Sequence, residues 1–145
     1  NLMNDLDLKG TFTTSNTSSI FNANSNNIKV AGKTISDLVD LPIIKLMSDA
    51  SEKIDLKIVL RDENEVLMNQ FLTNGAKSIP KLLILDENLN LINHWGPRPE
   101  AAKNLILDYK AKNGIVDETA KIALQKWYLN DKGISTMKEI VATLQ

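Results

Sequence analysis

The sequence predicts an α/β fold, with a mixed central sheet flanked by helices and a helical extension at the C-terminal end. Three observations predict it. Residues 54–61, IDLKIVLR, alternate apolar and polar side chains, the period of a half-buried strand. Residues 81–85 form a short apolar run entered by Pro80 and left through Asp86-Glu87-Asn88, bounds that suit a buried strand. Around these two stretches lie segments whose apolar residues recur at helical spacing, separated by Gly and Pro.

Taken in order, residues 13–27, TTSNTSSIFNANSNN, are almost all Ser, Thr and Asn. So polar a stretch buries too little to order itself, and an irregular N-terminal arm over 1–27 is expected, with one short strand near Ile20 at most. Ile28 to Ala31 alternate briefly and end at Gly32, which reads as a strand. The next segment, SDLVDLPIIKLMSDASEK, presents Leu38, Leu41 and Met47 on a wide apolar face, with Thr34 or Ser36 placed to cap its start. Pro42 falls inside this helix and predicts a kink.

After the strand of 54–61, Asp62 and Glu65 have the spacing of a capping box and open a helix expected to run to Thr73, stopped at Gly75. Strands over 81–85 and 89–95, joined by three turn residues, form an antiparallel hairpin. Trp95-Gly96-Pro97-Arg98-Pro99 ends the sheet, and Pro99 suits the first turn of a helix over 99–112. Gly114 separates that helix from one over 117–131, in which Trp127 and Tyr128 would pack onto the core. Beyond Gly133, Ser135 is the expected cap of a last helix with Met137, Ile140, Val141 and Leu144 on one face. A strand–helix–strand start implies a parallel pair with a right-handed crossover, to which the hairpin adds antiparallel strands. The whole, 1–145, is expected to be a single domain, with its core over 28–112 and the extension over 113–145.

Composition excludes several classes of function. The formal charge of −1 comes from interspersed acids and bases, so no bulk field recruits nucleic acid or an anionic membrane. No apolar run approaches the ~20 residues of a membrane helix, and the opening NLMNDLDLKG lacks the basic-then-apolar layout of a secretory leader. A cytoplasmic address is expected, with Met3 as the natural start. The chain has no cysteine and one histidine. Thiolate nucleophiles, disulfides and thiolate metal sites are therefore absent from it, and neither a metal nor a cofactor is expected. His94 beside Trp95 has no identifiable partner for general-base work.

Three motifs carry a family resemblance. Arg61-Asp62-Glu63-Asn64 follows a strand, Ser78-Ile79-Pro80-Lys81 precedes one, and Trp95-Gly96-Pro97-Arg98-Pro99 precedes a helix. With the element order they make the chain similar to the thioredoxin-like superfamily, and in particular to a bacterial group that has these motifs. The likeness covers roughly residues 28–112. It implies a thioredoxin fold with a cis peptide bond at Ile79-Pro80. In that family a proline kinks the first long helix five residues past the second cysteine of a C-x-x-C motif. Counting back from Pro42 puts Thr34, Ile35, Ser36 and Asp37 in the four active-site positions.

Dithiol exchange needs a thiolate at the helix start and a second thiol to resolve the mixed disulfide. Thr34 and Asp37 supply neither, so the resemblance implies a scaffold without redox chemistry. The family also pairs the backbone of the residue before the cis-proline with an extended peptide, a case of strand addition. That residue here is Ile79, with Ser78 beside it and Ile35 and Trp95 as lining for an apolar patch. Arg98, between two prolines, is either a rigid contact point or an ion-pair partner.

The expected function is a redox-inactive peptide- or protein-binding module with no catalytic residues. One alternative is an enzyme that holds a glutathione-type thiol ligand through a hydroxyl at Thr34 or Ser36. Another is a self-association platform in which the C-terminal helices form a homodimer.

Overall fold

The computed structural model describes residues 35–144. The arm over 1–27, the strand expected at Ile28 to Ala31, and Thr34 lie outside the described residues. Helix α1 spans Ile35–Asp49 and contains Pro42. A 3-10 turn at Arg61–Glu63 leads to the one-turn helix α2, Glu65–Met68. Strands β1, Leu82–Leu85, and β2, Leu91–Trp95, precede the helices α3, Glu100–Asn113, α4, Glu118–Asp131, and α5, Ile134–Thr143.

The hairpin forms as its turn residues dictate. Strands β1 and β2 pair antiparallel, Leu82 opposite Trp95 and Ile84 opposite Asn93, with an irregularity between Ile84 and Leu85. The turn is longer than the sequence suggests, so β2 starts at Leu91 rather than at residue 89. Asp86 is the reason: its Oδ1 accepts from the backbone N–H groups of Asn88 and Asn90, at 2.8 and 2.9 Å. Holding both amides curls the chain through Leu89, which takes a left-handed φ of 64°. Those hydrogen bonds also keep the Asp86 carboxyl below its ordinary pKa.

Two expectations between residues 54 and 73 need correction. Residues 54–60 belong to no strand, although Leu60 is extended at φ −84° and ψ 130°. Alternation marks which side chains suit a sheet, but a strand exists only where a neighbour supplies ladder hydrogen bonds, and the expected neighbour at Ile28 to Ala31 is not described. Leu56 still packs against the core residues Ile44, Trp95 and Ile140. The expected helix to Thr73 is broken into the 3-10 turn and α2. No capping box forms, because the Asp62 carboxylate accepts from Arg61 and the Asn64 amide donates back to Leu60 O. Past α2 the chain closes in a turn, with Thr73 and Ala76 exchanging backbone hydrogen bonds at 2.9 and 3.0 Å.

The last three helices stand close to where Gly and Pro punctuate the sequence. Pro99, fully buried, is the N-cap of α3, and Gly114 ends that helix at φ 80°, its N–H reaching Lys110 O. Asp117 caps α4 by accepting from Ala120 N. Ser135 does not cap α5; Gly133 holds that position, and Ser135 instead bonds the Asp131 carboxylate.

Helix α1 packs against α4 and α5, α3 against α4, and α5 against β2. One core cluster joins Ile44, Trp95 and Ile140, and a second joins Ala102, Leu124 and Tyr128 with Val39, Ile106 and Trp127 at its edge. Tyr128 is thus a core residue, as its sequence position suggests, with the Trp127 ring edge-on at 5.2 Å. No helix among the described residues is long and apolar enough to cross a membrane.

The junction of α3 and α4 has a legible pH dependence. The Tyr109 hydroxyl donates to Asp117 Oδ1 at 2.8 Å. That bond lowers the Asp117 carboxyl below its ordinary 3.8 and raises the Tyr109 phenol above its ordinary 10.0. The carboxylate's contribution to stability is present above 3.8 and is lost as pH falls through the lower folded value. The phenol's contribution is present below 10.0 and is lost as pH rises through the higher one. Tyr109→Phe should therefore be less stable than the parent at neutral pH. The gap should close at both extremes, as urea unfolding curves across pH will show.

Candidate functional site

Three polypeptide segments meet around Ile79. The Ile79-Pro80 peptide bond is cis, as is Gly96-Pro97. Pro80 is buried, and its carbonyl oxygen lies against Gly96, where a Cβ would stand only 2.4 Å away. Gly96 also has φ 114°, a conformation that L side chains rarely adopt. The two loops touch backbone to backbone, and only glycine permits it. Lys81 reinforces the junction: its Nζ donates to Gly96 O at 3.1 Å and to Thr73 Oγ1 at 3.2 Å. Burial, aided by the charge of Lys103, pushes the pKa of this amine down.

The residues that precede Pro80 and follow Gly96 line an open cleft of about 490 Å³. Arg61 and Asp62 form one wall, Ala76 to Ile79 the second, and Pro97 with Arg98 the third. Arg61 Nε donates to Asp62 at 2.9 Å and Nη1 to Lys77 O at 3.3 Å, so this guanidinium ties two walls together. The same cation holds the Asp62 carboxyl below its ordinary pKa, chiefly by that hydrogen bond. Lys77 turns to Glu65, at 2.6 Å. The backbone N–H and C=O of Ile79 make no hydrogen bond among the described residues.

The sequence-expected site residues fall into three groups. Ser78, Ile79 and Arg98 line the cleft, whereas Pro80, next in the chain after Ile79, is buried and does not line it. Trp95 does not: 7% exposed, it packs with Ile44 and Ile140, and its indole Nε1 donates to Glu139 at 3.1 Å. Glu139 also accepts from Glu100 N at 3.0 Å, so one carboxylate of α5 holds the tryptophan and the first amide of α3. Ile35, Ser36 and Asp37 form the first turn of α1, while Thr34 is not described. His94 is exposed, lies edge-on to Phe71 at 5.7 Å and has no side-chain hydrogen bond among the described residues. No group of three His, Cys, Asp or Glu able to hold a metal occurs among the described residues.

Arg61, Asp62, Ala76, Lys77 and Pro97 are the cleft residues that sequence reasoning passed over. They stand in or within two residues of the Arg61-Asp62-Glu63-Asn64, Ser78-Ile79-Pro80-Lys81 and Trp95-Gly96-Pro97-Arg98-Pro99 motifs, and the meeting of those motifs in space was the available signal.

A helix, a broken helical connection, a two-stranded hairpin entered by a buried proline and a closing helix are consistent with an α/β fold. A thioredoxin family model matches residues 38–113, more than half of the chain, and the chain belongs to that family. The match begins just past the four positions from Thr34 to Asp37. No curated protein and no solved structure matches the chain.

Proposed function

We propose that this chain is a redox-inactive thioredoxin-like protein that binds an extended peptide or protein segment along Ser78 and Ile79. The observation that carries the reading is the Ile79 backbone, which borders the cleft and leaves both its polar groups without a hydrogen bond among the described residues. Backbone groups of this kind usually find partners, and an added strand supplies a donor and an acceptor at the required spacing. The absence of cysteine supports a role in binding rather than exchange, since no side chain of the chain can form or resolve a mixed disulfide. A single-domain arrangement and a cytoplasmic address belong to the same proposal.

Panning a display library of extended decapeptides tests it. Selected peptides should shift the backbone amide of Ile79 in 15N NMR spectra, with Ser78 following. Ser78→Trp, which places an indole in the cleft, should weaken them by tenfold or more while leaving the fold intact by circular dichroism. Peptides that bind without moving Ile79, or that ignore Ser78→Trp, would overturn the reading.

A further inference from the structure

The charges of the cleft are unevenly spent. Arg61 is engaged by Asp62 and by the Lys77 carbonyl, and Lys77 is engaged by Glu65. Arg98 has no ion pair among the described residues, and its Nε is buried without a hydrogen-bond partner. Nothing polar among the described residues positions this guanidinium. The backbone beneath it is fixed instead: Pro97 and Pro99 are both buried, and a following proline confines Arg98 to extended backbone. A half-buried cation on a constrained backbone beside an open cleft, with no ion pair among the described residues, is poised for an anion. One unmatched cation suits a single negative charge. Asp62 at the same cleft disfavours a dianion such as a phosphate.

We infer that the Arg98 wall of the cleft is a carboxylate subsite, and that the segment bound along Ile79 carries an Asp or Glu side chain there. This rests on the peptide-binding reading above and adds the chemical class of the partner. The strand supplies affinity through Ile79, and the acid fixes register and selects among partners.

The probes are N-acetylglutamate N-methylamide, its glutamine counterpart and its phosphoserine counterpart, titrated while the Arg98 Nε–H resonance is followed by NMR. The glutamate probe should give a saturable shift of that resonance, with the glutamine probe about tenfold weaker or more, the usual gain of a charge-assisted hydrogen bond. Arg98→Gln should erase the difference between the two. Arg98→Lys, which keeps the charge and loses the fork, should retain part of it, and the titrations of the parent chain need no variant at all. Equal shifts from glutamate and glutamine, or none at Arg98, would overturn the subsite. Tighter binding of phosphoserine than of glutamate would overturn the match to a single charge. The two readings separate cleanly. If the glutamate probe moves Arg98 while selected decapeptides leave Ile79 unmoved, the subsite stands and strand addition fails. Decapeptides that move Ile79 with no enrichment in Asp or Glu give the reverse.

Discussion

Asp40→Ala should destabilise the protein by about 3–5 kcal/mol, the range seen when one partner of a buried polar or ionic network is removed. Asp40 is fully buried in the middle of α1. Its Oδ2 accepts from the Tyr128 hydroxyl of α4 and its Oδ1 from the Thr136 hydroxyl of α5, both at 2.8 Å. Tyr128 is 4% exposed and Thr136 is 0% exposed, so neither hydroxyl has water to turn to once the carboxylate is gone. Alanine would remove the two hydrogen bonds that tie α1 to Tyr128 and Thr136 inside a three-helix junction. Against a typical total of 5–15 kcal/mol the loss is large. Asp40→Asn, which keeps one carbonyl acceptor, should lose clearly less. Urea unfolding at neutral pH measures both, and a cost below about 1 kcal/mol for Asp40→Ala would show that the junction repacks without its carboxylate.

Gly96→Ala should cost about 2–4 kcal/mol, from an unfavourable backbone conformation and a steric overlap together. The overlap cannot be relieved by a rotamer change, because the atom facing the new Cβ is the Pro80 carbonyl oxygen, at 2.4 Å. Relief requires the two loops to part, and Pro80 directly follows the residue proposed to pair with a peptide. A lowered unfolding midpoint and a displaced Ile79 amide resonance should therefore appear together. Gly133→Ala makes a useful contrast. It too has a positive φ, of 78°, but its new Cβ would meet the Ile43 side chain, which can move. Its effect should leave the cleft resonances in place.

What the sequence revealed and what it hid divide along a physical line. Helices α3 and α4 and the hairpin follow from local signals: Pro99 and Gly114 at the ends of α3, Asp117 before α4, Asp86 at the turn. Such signals act over a few residues and need no tertiary context. The strand expected over 54–61 depended on a distant neighbour, and alternation by itself could not supply one. Asp40 was overlooked because a charged residue in an amphipathic helix normally faces water. Only the approach of Tyr128 and Thr136, 88 and 96 residues further on, makes it an interior group. The cleft was partly legible. Ser78, Ile79 and Arg98 emerged from motifs, whereas the status of Arg98 as the cation left unmatched depends on where Asp62 and Glu65 spend their charges. Trp95 was misplaced for a similar reason: its indole reaches Glu139, a residue no motif connects to it.

That reach of Glu139 bears on how the protein is made. A chain leaves the ribosome from its N-terminal end and begins to fold as it emerges. Every residue that walls the cleft, from Arg61 to Arg98, is synthesised before α5. The acceptor for the Trp95 indole and the cap for the first amide of α3 both wait for residue 139, and the Ile140 side chain that closes the core around Trp95 comes one residue later. The loop presenting Arg98 lies between those two tethered points, and these two tethers form only once residue 139 has emerged.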